Sequence, residues 1–102
     1  MKIVDFENGC LEEFYKRVSK NVIRIRKQKK ISQLKLANAM GHQNATFIGK
    51  AELLSENKHF NLEHLYKISI VLDVDIEEFF KNEFERLHFS TTSLICSKFY
   101  LI

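Results

Sequence analysis

A chain of 102 residues with nine Phe, no Trp, no Pro and three Gly is one domain with enough apolar side chains for a core, and its scarcity of breakers favours helices. The net charge of +3 is unevenly spread: residues 14–51 hold ten bases and no acid, whereas 52–87 hold nine acids and four bases. Such a polarity orients a molecule on a polyanion. Asp5 and Glu7 exclude a signal peptide, and no apolar run approaches the ~20 residues of a membrane-spanning helix.

Cys10 and Cys96 stand too far apart for a zinc-ligand pair and read as reduced, buried thiols of a cytoplasmic chain, with a disulfide joining the two ends as the alternative. No Gly-rich phosphate loop, HExxH motif or paired carboxylate cleft appears. His59 and His64 approach a metal pair only weakly. The expectation is a protein that is not an enzyme and carries no cofactor or metal.

In chain order, residues 1–9 form an N-terminal arm. Lys2–Phe6 is apolar enough for a short strand, and Asn8-Gly9 punctuates it. Leu11, Phe14, Tyr15, Val18, Val22 and Ile25 recur at 3–4 spacing, predicting one amphipathic helix from Leu11 to Lys29. Glu12 and Glu13 in its first turn and Lys27, Lys29 and Lys30 at its end suit the helix dipole. Ile23 lies off the stripe, where it would meet an added element or a second subunit.

Ser32 to Glu52 is the stretch around which the rest is organised. Ser32 is an N-cap; Leu34, Ala37 and Met40 share a face, flanked by Leu36; and Gly41 ends the helix in a left-handed conformation. Asn44 caps a second short helix, Ala45–Leu53, with Ile48, Ala51 and Phe47 inward and Ala45, Thr46, Gly49 and Lys50 outward. Residues 54–60 are a polar loop. Asn61 caps a fourth helix, Leu62–Leu72, with Leu62, Leu65, Ile68, Ser69 and Leu72 inward and Phe60 and Leu65 at the positions of a hydrophobic staple. Asp75 and Glu78 form a capping box for a fifth helix reaching His88, with Val74 and Phe79 as its staple. Ile76, Phe79, Phe80, Phe84 and Leu87 carry its apolar face. Residues 89–102 are β-prone and apolar, a tail expected to pair with the N-terminal strand within one subunit or across a dimer.

Val22-x-x-Ile25-Arg26, Ile31-Ser32-Gln33, Leu36-Ala37, Gly41, Ile48-x-x-x-Glu52, Leu65-x-x-Ile68 and Val74 together resemble the lambda-repressor/Cro (xenobiotic-response-element) helix-turn-helix domain over roughly residues 20–80. The resemblance implies an all-α bundle of five helices spanning residues 10–88, bacterial origin, and DNA binding, commonly as a homodimer. The chain departs from that pattern. The turn around His42-Gln43 and the loop after Glu52 are longer, Lys30 and Asp73 stand where the family often has Gly, and Gly49 sits inside the recognition helix.

The residues expected to bind follow from these placements. In the family, Gln33 touches the DNA backbone and braces the recognition helix. Ala45, Thr46 and Gly49 would face base edges, and Gln43 and Asn44 are suited to adenine because an amide donates and accepts together. Lys35, Lys50, Lys58 and His59 would meet phosphates. Arg26 matches a position often used structurally. The expected function is a cytoplasmic, sequence-specific transcription regulator whose partner is double-stranded DNA, with no membrane association. The alternatives are a protein-interaction module, such as an antitoxin or adaptor that grips its partner with the tail, and an architectural DNA binder without sequence preference.

Overall fold

The longest element, α1 (Cys10–Gln28), forms where the apolar spacing predicts it, with Glu12 and Glu13 in the first turn and Arg26 and Lys27 in the last. The computed structural model describes residues 1–3, 6 and 9–84. After α1 come α2 (Gln33–Ala39), α3 (Thr46–Leu53), a 3-10 turn (Ser55–Asn57), α4 (Leu62–Leu72) and a second 3-10 turn (Ile76–Phe79). Among the described residues the domain is therefore all-α: four helices, two 3-10 turns and no strand.

The caps explain where the short helices begin. The Ser32 hydroxyl accepts the Lys35 N–H at 3.0 Å, and Asn61 Oδ1 accepts the His64 N–H at 2.8 Å. Gly41 follows α2 with φ 92°, a conformation in which a Cβ would be strained. Lys30 and Asp73 adopt the same left-handed region at the ends of α1 and α4 without being Gly.

One core joins the elements. Val18, Val22 and Ile25 of α1 meet Leu36, Ala37 and Met40, Ile48 and Ala51 of α3, Phe60, then Leu65, Ile68 and Leu72 of α4 and Phe79. Helix α1 packs against α3 and the second 3-10 turn, and α2 packs against α3 and α4. Full burial of a side chain such as Leu36 or Phe79 contributes about 1.5–3 kcal/mol, which no helix as short as α2 or α3 obtains alone.

Four expectations are corrected. Leu34 is 51 % exposed and Leu36 is fully buried, because the packed face of α2 centres on Leu36, Ala37 and Met40 and leaves Leu34 to one side. Leu62 is 72 % exposed, since it opens α4 outside the stripe that Leu65, Ile68, Ser69 and Leu72 present to the core. Among the described residues the predicted fifth helix is a 3-10 turn at Ile76–Phe79, with helical backbone again at Glu83 and Phe84; Asp75 makes no side-chain cap bond, and Glu78 pairs with Lys81 instead. Asn21 of α1 donates to the carbonyls of Phe79 (2.9 Å) and Lys81 (2.7 Å), which ties this turn to α1. Finally, Cys10 is exposed rather than buried.

The N-terminal strand is absent among the described residues 1–3 and 6, where Ile3 and Phe6 are exposed. Val4 and Asp5 lie outside the described residues. So do Leu87, His88, Cys96 and the whole tail 89–102 with its proposed pairing. No helix of the described residues is long and apolar enough to cross a membrane.

Candidate functional site

The site is built on Glu52, the first acid after the acid-free stretch. Its carboxylate receives Arg26 Nε at 2.8 Å and Arg26 Nη2 at 3.1 Å, while Gln33 Nε2 donates to the same Oε1 at 2.8 Å. Arg26 Nη1 donates to the Ile31 carbonyl at 2.9 Å. The side chains of Arg26 and Glu52 are 9 % and 3 % exposed. One network thus ties α1, the start of α2 and the last turn of α3. A buried pair of this kind adds little net stability, because desolvation offsets the Coulomb gain. What it fixes is the attitude of α3. Ser19 Oγ of α1 adds a bond to the Ala51 carbonyl at 3.0 Å.

The other end of α3 is held separately. Asn44 Oδ1 accepts the Thr46 N–H at 2.9 Å, so Asn44 supports the helix start from one position before the cap: α3 begins at Thr46, one residue later than predicted, with Ala45 at the N-cap. Phe47, half-buried in the first turn, packs against the rings of His42, Phe60 and His64. His64 also returns a bond to its own cap, its Nδ1 accepting the Asn61 N–H at 3.1 Å.

With both ends fixed, α3 presents Thr46, Gly49, Lys50 and Leu53 outward. Thr46 is exposed, Gly49 and Lys50 are half-buried, and Leu53 is 78 % exposed. Gln33 lies against this face: its Oε1 would sit 3.5 Å from a Cβ placed on Gly49, an ordinary contact. Gly49→Ala therefore fits, and removing a helical Gly should raise stability by about 1 kcal/mol. Thermal melting should show a midpoint higher by about 4–8 °C.

The remaining predicted residues divide into two groups. Gln43, Asn44 and Thr46 are exposed and Ala45 half-buried at the start of α3; Lys35 on α2 and Lys58 after the first 3-10 turn are exposed. Three are engaged elsewhere, Asn44 among them through the bond its Oδ1 accepts from Thr46. Lys50 Nζ lies 2.5 Å from Glu56, holding that carboxyl below its ordinary range by hydrogen bond and charge. The His59 ring stacks on Tyr15 of α1 at 4.1 Å, so its face is covered by packing.

The sequence reading missed Glu52 as the centre of the network and His64 as the cap partner. The first had a signal, since Glu52 interrupts a long run of bases. The second had a weaker one, a side chain with an acceptor at the third position after Asn61. No cluster of three or more His, Cys, Asp or Glu side chains suited to a metal occurs among the described residues. No protein-family model, curated protein or solved structure matches the chain.

Proposed function

We propose that this chain is a sequence-specific DNA-binding regulator that lays α3 in the major groove, in the manner of the lambda-repressor/Cro-type helix-turn-helix domains it resembles. The observation that carries the reading is the asymmetry of α3. Its inner side is locked to α1 and α2 through Arg26, Glu52 and Gln33, while its outer row of Thr46, Gly49 and Lys50 is small, polar and cationic. A groove about 12 Å wide admits a helix with such a face. Lys35 and Lys58 meet phosphates beside it, and Gln43, Ala45 and Thr46 read bases while Asn44 holds the start of the helix. Two copies would address half-sites about 34 Å apart.

The test is fluorescence anisotropy on a random duplex and on a pool carried through selection, with salt titrated. The logarithm of affinity should fall with that of salt with a slope of about −0.9 per neutralised phosphate. Lys35→Ala and Lys50→Ala should each reduce that slope by about one unit, Lys50 exchanging Glu56 for a phosphate. A palindromic sequence should be enriched. Binding without enrichment would replace the reading with an architectural role, and no binding at low salt would refute it.

One observation favours a second reading, a protein-interaction module of antitoxin or adaptor type. Leu62, Tyr66 and Ile70 recur every fourth residue along α4, and all three are exposed. A co-purifying protein lost on substitution of Tyr66, in a chain that enriches no DNA sequence, would support that role.

A further inference from the structure

We propose that His64 is a positioning residue for α3 that makes the reading face acid-sensitive: with a neutral ring it helps seat Phe47 in the first turn, beside the stacked His42 ring, and a proton on His64 loosens that seat. The functional half of this inference rests on the DNA-binding reading; the structural half does not.

The geometry comes from four rings supplied by different segments. His42, from the turn between α2 and α3, stacks on Phe47 with centroids 5.7 Å apart and planes 14° apart. The His64 ring, from the first turn of α4, lies 4.4 Å from Phe47. Phe60 stands edge-on to both Phe47 and His64. Thus the residue that starts the inner face of α3 is seated against two imidazoles.

His64 has a second duty that depends on its protonation state. Its Nδ1 accepts the Asn61 N–H, which requires that nitrogen to be unprotonated, with the ring proton on Nε2. A second proton must go to Nδ1, where it turns the acceptor into a donor facing another donor. The capping box of α4 is lost, and a positive charge is placed at the positive end of the helix dipole.

Most of what surrounds His64 acts in the same direction. Burial opposes its charged form most, followed by His42; Lys67 on its own helix and His59 from the preceding loop also oppose it. Glu63 alone favours protonation, and Lys67 Nζ engages its carboxylate at 3.1 Å. The imidazole is consequently held below its ordinary value of about 6.5. In the unfolded chain it binds a proton more readily. Stability from this group is therefore complete above that ordinary value and is lost as pH falls through the lower, folded one.

His64→Gln separates the two duties, because Gln at this position completes a capping box and does not titrate. In the full chain, the amide signals of Thr46 and Phe47 should shift together with the His64 ring as pH is lowered from about 7.5 through the range, below the ordinary imidazole value, in which that ring titrates. The wild-type melting midpoint should fall over that range by a few degrees more than that of His64→Gln, roughly the effect of one helix cap. Protonation adds charge that favours any duplex, so the DNA readout is the ratio of affinity for a selected sequence to that for a random one. This ratio should fall several-fold in acid for the wild type and stay level for His64→Gln. If the amide signals of α3 do not follow the His64 ring, or if His64→Gln keeps the wild-type pH dependence, the inference fails. A chain that binds no DNA at about pH 7.5 refutes the regulator reading, while the amide titration still decides whether the imidazole holds α3.

Discussion

Replacing Glu52 with Ala should lower the unfolding free energy by about 3–5 kcal/mol, read as a lower urea midpoint at unchanged slope. The substitution leaves the Arg26 guanidinium buried, with only the Ile31 carbonyl still bonded at Nη1, and takes the acceptor away from Gln33. A domain of this size has about 5–15 kcal/mol in total, so much of its stability would go at once. The loss measures an orphaned charge rather than the worth of the pair. Accordingly, the double replacement Arg26→Met, Glu52→Leu should recover most of it, because an apolar pair of similar volume carries no desolvation cost. If the single and double variants are equally destabilised, the network contributes through packing and not through charge. The double variant should still lose discrimination between DNA sequences, because nothing then aims Gln33 at α3.

Phe79→Ala should cost a similar amount, about 3–5 kcal/mol. Phe79 is the largest side chain in the core that is fully shielded from solvent, and it sits on the 3-10 turn that packs against α1 and α4. Its backbone carbonyl is pinned by Asn21, so the turn has little freedom to collapse into the space left behind. Phe84, which is half in water, provides the contrast: Phe84→Ala should cost clearly less, about 1 kcal/mol. A small loss at Phe79, measured by the same urea titration, would mean that the second 3-10 turn is peripheral to the fold.

Periodicity and capping chemistry made much of this architecture legible. The stripe from Val18 to Ile25, the Ser32 and Asn61 caps, the left-handed Gly41 and the inward Ile48 and Ala51 all depend on neighbours within a turn or two, and all stand where the residues predict. The errors arose where a distant group decided the outcome. Leu34 and Leu36 are equivalent by composition, and only the placement of α3 and α4 chooses between them. The apolar run after Asp75 reads as a continuous helix, and the turn found there is tied to Asn21, far away in sequence. At the candidate site, the brace from Gln33 to α3 was legible through resemblance, and its chemical means, the Glu52 carboxylate, was not. The engagement of Lys50 by Glu56 and of His59 by Tyr15 depends on loop geometry that no local pattern encodes.

The joints of this molecule hold a reserve. Lys30, Leu54, Glu56, Asn57 and Asp73 are left-handed without being Gly, and such a residue carries strain on the order of 1 kcal/mol, less for Asn and Asp. The same side chains stiffen the unfolded chain, which recovers part of that cost. The fold therefore stands below the stability its topology permits, and the shortfall is concentrated at helix ends. Lys30 and Asp73 lie outside the outward row of α3. A lineage of this chain could gain robustness at those two positions, and spend it on destabilising changes to Thr46 or Gly49, without rebuilding its core.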